Sequence, residues 1–270
     1  MGWGPRLPLS TCHLPPARLS AYVQRNQPPG VPPLALTGER TLPDVPAENY
    51  WYRRHLAVYD WIAARVRGLR VADLGCGEGY GSAVLAAAAA EVVGVDANPD
   101  AHEHARLRYR RPNLRFERGL VEEFEERCDA VVFLQTIEHV HDPAGLCERL
   151  AHLAPVAYVS TPNRLTLAPP GAERSGNPWH LREYTVEEYR DLLEPRFEAV
   201  EILGLFHARK LRLHELALRA GWDRVHRTLR LTRPFYDRFV PAISSSDFAL
   251  RRGPDADLVD ALDLVAVCRG

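Results

Sequence analysis

The sequence predicts an α/β domain: a doubly wound, mostly parallel seven-stranded sheet with a helical cap inserted before its last strand. Three observations carry this. Short β-branched runs alternate with helical segments from Val71 to Ser160, the pattern that builds a parallel sheet covered on both faces. The first run passes directly into Gly75-Cys76-Gly77-Glu78-Gly79-Tyr80-Gly81, a loop able to turn sharply at positive φ. The second run ends on a carboxylate, Asp96, one strand–helix–strand unit later.

The elements follow in order. Residues 1–46 are proline-rich, and Pro28-Pro29-Gly30 with Pro32-Pro33 excludes helix and central strand; this stretch reads as a flexible arm. The domain itself spans 47–270. It opens where Tyr50, Trp51, Tyr52, Val58, Tyr59, Trp61 and Ile62 recur at roughly helical spacing. Strands are predicted at Val71–Leu74, Val92–Asp96, Leu114–Glu117, Ala130–Leu134, Val156–Ser160, Ala199–Leu205 and Leu264–Cys268. Helices are predicted at Tyr80–Ala89, Ala101–Arg110, Pro143–His152 and Val186–Leu193. Between the last two strands, residues 207–257 form a long, Arg-rich excursion read as the helical cap.

Composition narrows the function classes. The chain has 270 residues, 46% hydrophobic and 26% charged, an ordinary globular balance. A formal net charge of -1 supplies no global field for a polyanion, so no nucleic-acid partner is expected. No apolar run reaches the length of a membrane-spanning helix, and no membrane partner is expected either. The five cysteines form no C-x-x-C pair, which fits a reduced, cytoplasmic chain.

The glycine loop points to the cofactor. A dinucleotide site needs G-x-G-x-x-G; counted from Gly75, the third glycine of that pattern falls on Tyr80. The run Asp73-Leu74-Gly75-Cys76-Gly77-Glu78-Gly79 instead resembles the first motif of class I S-adenosylmethionine-dependent methyltransferases, which have a Rossmann-like fold. A carboxylate at Asp96 can accept both hydroxyls of an adenosine ribose; the alternative is that it only caps the helix starting at Asn98-Pro99. The resemblance spans about residues 69–162. It implies a cofactor site of Asp73, Gly75, Cys76, Gly77, Gly81, Asp96, Ala97, Leu120 and Gln135. Many relatives carry an Asp shortly after the third strand; here the loop reads Arg118-Gly119-Leu120-Val121-Glu122, leaving adenine to main-chain atoms or Glu122.

A second cluster follows the fourth strand: Gln135-Thr136-Ile137-Glu138-His139, with Asn177-Pro178-Trp179-His180 farther on. It resembles the Glu-x-x-Glu-His segment of ubiquinone-pathway O-methyltransferases and of small-RNA 2′-O-methyltransferases, where two Glu and two His hold a divalent cation. The resemblance implies Glu138, His139 and His180 as Mg²⁺ ligands, with Glu138 and His139 in catalysis. Gln135 stands where the family's first Glu does, which removes one anionic ligand and predicts a weaker, exchangeable metal. His139 as a metal-free general base remains open, as does a purely hydrogen-bonding role for both histidines. His102, His104 and His152 read as solvated helix surface.

The flanks sharpen the resemblance. Leu36-Thr37-Gly38-Glu39-Arg40-Thr41-Leu42-Pro43, Glu48-Asn49-Tyr50-Trp51-Tyr52-Arg53-Arg54-His55, Ser160-Thr161-Pro162-Asn163-Arg164 and Ser246-Asp247-Phe248 are similar to an actinobacterial group that includes a mycobacterial sugar 1-O-methyltransferase. This implies methyl transfer to a sugar hydroxyl of a small molecule or a mannose-type oligosaccharide, with Tyr50, Arg53, Arg54 and Asn163 as substrate contacts. Three rivals stay open: a quinone or polyketide phenol acceptor, an RNA ribose, and a non-catalytic cofactor-binding protein.

Overall fold

A computed structural model describes residues 22–169 and 171–270. Residues 1–21 of the proposed arm lie outside them. One sheet organises the domain, in the order β3-β2-β1-β4-β5-β8-β6-β7. Its strands are β1 (Arg70–Leu74), β2 (Glu91–Asp96), β3 (Leu114–Arg118), β4 (Ala130–Leu134), β5 (Val156–Pro162), β6 (Ala199–His207), β7 (Phe248–Arg251) and β8 (Asp263–Arg269). β1 to β5 pair in parallel, whereas β8 runs antiparallel to both β5 and β6.

The sheet has eight strands where the sequence predicts seven. The extra strand, β7, pairs Phe248–Arg251 with Gly204–His207 inside the stretch read as helical cap. It is only four residues long at the sheet edge, too short to show a period-two pattern. The cap proper is three helices: α6 (Arg209–Arg219), α7 (Trp222–Thr228) and α8 (Thr232–Phe239). The earlier helices longer than four residues are α1 (Asn49–Ala63), α2 (Tyr80–Leu85), α3 (Pro99–Arg108), α4 (Pro143–Leu153) and α5 (Val186–Leu193). Local chemistry sets several boundaries. Asn98 caps α3 by accepting from the Asp100 and Ala101 amides, ahead of Pro99. Thr185 and Glu188 close a capping box on α5.

Apolar clusters cover both sheet faces. One gathers Leu74, Val131, Phe133, Ile137, Leu146, Leu150 and Tyr189; the other gathers Tyr59, Ile62, Val71, Leu85, Val132 and Val265. Residues 22–46, expected to be a flexible arm, instead pack as a strap. Val23 bridges Ala35, and Leu34, Leu36, Leu42 and Val45 form their own buried cluster. Prolines exclude regular structure here, yet they leave leucines free to be buried.

The sheet order reverses between β1 and β4. In open α/β sheets such a switch point is where ligands bind, at the carboxyl ends of the strands. The glycine loop leaves β1 there, and the Gln135–His139 segment leaves β4.

Candidate active site

The glycine loop is built for close approach. Gly75 and Gly77 have φ of +71° and +55°, in the left-handed region that glycine adopts at no steric cost. A Cβ on Gly77 would meet nothing nearer than 3.9 Å, so its surface is open; a Cβ on Gly75 would strike Thr136 at 2.7 Å. The loops after β1 and β4 therefore abut at Gly75. The Gly75 and Cys76 amides both donate to the Val95 carbonyl, which pins the loop to β2.

Asp96 completes this half of the site. One carboxylate oxygen accepts from the Gly77 amide at 2.8 Å, the other from the Asn98 amide at 2.9 Å. The helix cap is Asn98 itself, so Asp96 orders the loop and leaves about two further acceptor positions for a ligand's hydroxyls. Ala97 and Leu120 are exposed beside it, Leu120 by 50%. Free acceptor positions beside an open glycine surface are what the hydroxyls of an adenosine ribose require.

The acid–histidine cluster assembles from β4, β5 and the 163–185 loop. Glu138, His139 and His180 offer ligand atoms that all lie within 4.8 Å of one another. Burial raises the Glu138 carboxyl to about 7, and Thr161 donates to it at 3.1 Å. His139 Nδ1 lies 2.8 Å from the Trp179 carbonyl. A carbonyl only accepts, so Nδ1 carries the proton and Nε2 keeps its lone pair. Burial holds His139 below the usual histidine range, in the neutral form a ligand or base requires.

His180 is oriented the same way by a residue the sequence reading missed. Its Nδ1 donates to Glu183 at 2.6 Å. Burial works to raise Glu183, but hydrogen bonds from His180 and Ser175 outweigh it and hold the carboxyl below its usual range. Carboxylate–histidine pairs of this kind fix the tautomer and raise the basicity of a metal-ligating imidazole. The Asn177 amide donates to His180 Nε2 at 2.9 Å, so a cation bound there takes the place of that hydrogen bond. Glu183 lies three residues after His180, and that spacing is the one sequence signal for the pair.

The methyltransferase domain family matches residues 47–223. The chain belongs to that family. A protein of Mycolicibacterium smegmatis (strain ATCC 700084 / mc(2)155), described as a probable S-adenosylmethionine-dependent methyltransferase, is 38% identical over 247 residues, covering 87% of this chain and 94% of that protein. The ubiquinone biosynthesis O-methyltransferase of Xylella fastidiosa (strain 9a5c) is 32% identical over 151 residues, 50% of this chain and 60% of that protein. Among solved structures, the small RNA methyltransferase HEN1 superposes with a TM-score of 0.54 at 16% identity, covering 82% of this chain and 26% of that one; that likeness shows the fold alone.

Within this methyltransferase, several sequence-predicted site residues also have structural partners. Gly81 is buried, and a Cβ there would lie 2.1 Å from the Tyr59 ring, so it lets α1 and α2 pack. The Cys76 thiol is buried, with its pKa pushed well up by that burial; only its main chain faces the loop. Asp73 lies beneath the loop, accepting from Ser82 at 2.6 Å and Tyr59 at 3.1 Å. Gln135 sits at φ +52°, an uncommon backbone for a non-glycine residue, and its amide donates to Ser160.

The expected substrate contacts divide likewise. Arg54 is buried and bidentate to Asp263, with Nε–Oδ2 and Nη2–Oδ1 distances of 2.7 and 2.5 Å. Tyr50 meets His207 Nε2 at 2.8 Å, with burial pushing its hydroxyl up to about 12. Asn163 spends its amide on the carbonyls of Leu258, Val259 and Ala261. Each of these three is buried and has a structural partner far away in the sequence. Arg53 is half-buried and lines an 890 Å³ cavity with Tyr52, Arg108 and the 42–46 strap; no residue of the glycine loop before Tyr80, and none of the acid–histidine cluster, borders it. His104, expected at the surface, is buried between Glu78 Nε2-to-Oε1 at 2.9 Å and the Pro32 carbonyl at 2.7 Å. Glu78 also binds Gln24 and Tyr109, so the strap is tied to the cofactor loop. Among the described residues, no helix is long and apolar enough to cross a membrane.

Proposed function

We propose that this methyltransferase transfers a methyl group to a sugar hydroxyl, with a divalent cation held by Glu138, His139 and His180. The observation that carries the cation is the set of oriented histidines: both Nδ1 atoms are engaged by fixed acceptors, which turns both Nε2 atoms, His180's held by the Asn177 amide, toward use as ligands beside the buried Glu138 carboxylate. When bound, S-adenosylmethionine supplies a sulfonium methyl open to in-line displacement. When bound, a cation supplies a Lewis acid for a hydroxyl oxygen. Two imidazoles with one carboxylate suit a first-row cation such as Mn²⁺ or Zn²⁺ at least as well as Mg²⁺.

The chain's own residues supply the rest. Asp96 and the open face of Gly77 hold and orient the ribose side of the donor. Orientation of two reactants is worth a large share of a displacement barrier. Where no cation is bound, neutral His139 is able to accept the hydroxyl proton at Nε2. Trp179, 44% exposed, holds His139 through its carbonyl while its indole donates to the Thr37 carbonyl, and exposed aromatic faces of this kind stack on sugar rings. The sugar reading is supported by the flanking motifs shared with the actinobacterial group. The 32% identity to a ubiquinone biosynthesis enzyme supports a phenol as the second reading, and the Asn177 hydrogen bond on His180 supports His139 as a metal-free base.

The test is turnover of S-adenosylmethionine with short mannose and methylmannose oligosaccharides and with catechols, each with Mg²⁺, with Mn²⁺ and with EDTA. Saccharide turnover abolished by EDTA supports both parts. Saccharide turnover that survives EDTA removes the cation. Turnover on catechols alone moves the acceptor to a phenol.

A further inference from the structure

The cap carries a second apolar surface, facing away from the core. On α6 the inward face buries Leu211, His214 and Leu218. The opposite side bears Leu213 and Leu216, exposed by 68% and 51%. With Ala217 and Ala220 they fall at i, i+3, i+4 and i+7, a single stripe on one side of the helix. Across the turn at Gly221, α7 and its cap add exposed Trp222, Val225 and Leu229 at i, i+3 and i+7, followed by Leu231. Among the described residues, six of the twelve exposed large hydrophobic ones lie from 213 to 231. Clustering of this kind marks an interaction surface; singly scattered ones need no explanation.

Charge says what kind. Residues 207–243 contain nine Arg or Lys against Glu215, Asp223 and Asp237, a net +6 in a chain whose total is -1. The remainder is therefore at -7. Arg212, Arg224, Arg230 and Arg238 flank the apolar stripe, and none makes an ion pair among the described residues.

We propose that the outer face of the α6–α7 hairpin docks on an anionic lipid bilayer. Helices that lie in a membrane interface combine Leu and Trp on one side with Arg or Lys around them. Anionic headgroups attract such basic segments within a Debye length. A second copy would set +6 against +6, and like charges across an interface are repelled. An RNA partner would use the arginines but has no use for an aliphatic stripe, since bases stack on aromatic side chains. The absence of a membrane-spanning stretch bears on spanning alone; this surface lies on the bilayer.

The full chain is tested by flotation with phosphatidylcholine vesicles, and with phosphatidylcholine–phosphatidylglycerol vesicles at low and physiological salt. The wild type is expected to float only with the anionic vesicles. Leu213→Ser and Leu216→Ser are each expected to weaken partition roughly tenfold, with the circular dichroism spectrum and S-adenosylmethionine affinity unchanged, because both side chains are on the surface. Arg224→Gln with Arg230→Gln is expected to weaken partition and flatten its salt dependence. Absence of partition, or equal partition into phosphatidylcholine alone, overturns the proposal. So does a dimer in sedimentation that the Leu variants dissociate, which assigns the face to a second copy. RNA binding with a steep salt slope that is indifferent to the Leu variants overturns it in favour of nucleic acid.

Discussion

Replacing Arg54 separates two accounts of one residue. As a substrate contact, Arg54→Met would raise KM and leave stability alone. The structure predicts the reverse. The guanidinium and the Asp263 carboxylate are 4% and 1% exposed, joined by two hydrogen bonds, with a third from Nη2 to the Leu262 carbonyl at 2.5 Å and the Trp51 ring 4.6 Å away. Removing Arg54 leaves a desolvated carboxylate with its counter-charge gone, which costs about 3–5 kcal/mol. Arg54→Met with Asp263→Leu removes both charges and is expected to recover most of that loss, since an apolar pair of similar volume is often neutral. Urea denaturation of the four members of the cycle measures the coupling, and KM is read where the single variant is still folded. A single-variant cost below about 1 kcal/mol, the range of exposed pairs, would refute the reasoning. So would additivity in the double variant.

Three further outcomes are expected. Asp96→Ala removes a charged acceptor worth about 1.5–3 kcal/mol per hydrogen bond, so calorimetry should show the S-adenosylmethionine Kd rising about a hundredfold; an unchanged Kd would remove Asp96 from the cofactor site. Burial raises Asp73 from 3.8 to about 7 against hydrogen bonds from Ser82 and Tyr59. Its folded pKa thus exceeds its unfolded one, so its contribution to stability is greatest below pH 4 and is lost as pH rises to about 7. Asp73→Asn cannot titrate, and its stability relative to wild type should improve across that window by at most about 4 kcal/mol; parallel pH–stability curves would disprove the assignment. Gly81→Ala forces a methyl against Tyr59 and should cost about 1–3 kcal/mol or more, read as a lower Tm with no cofactor present. A Tm equal to wild type would return Gly81 to the ligand.

What the sequence made legible is what depends on local pattern. The alternation from β1 to β5 and the glycine loop were readable because period and glycine conformation are short-range properties. Glu138 and His139 share a loop, and His180 joins them because β4 and β5 are neighbours, a placement the topology itself supplies. The internal partners of Arg54, Tyr50 and Asn163 were not legible, because an Arg or Tyr next to aromatics looks the same whether it meets a ligand or a buried carboxylate 209 residues away. His104 looks like surface on a polar helix until the strap folds over it, and the strap's own prolines concealed its leucines. β7 was hidden because four residues cannot declare a period.

The position of β8 has a consequence for how the molecule is made. It follows every other strand in the chain, yet it lies in the interior of the sheet, joining β5 on one side to β6 on the other. As the polypeptide leaves the ribosome, β1 to β5 can assemble first, and with them both halves of the switch point. β6 and β7 then have no edge to join until residues 263–269 arrive. During that interval β5 presents a bare row of amides and carbonyls, the feature that recruits foreign strands. Arg54, already waiting in α1, is the charge that receives Asp263 when the final strand slots in. The buried ion pair thus acts as a latch between α1 and a strand that follows every other strand among the described residues.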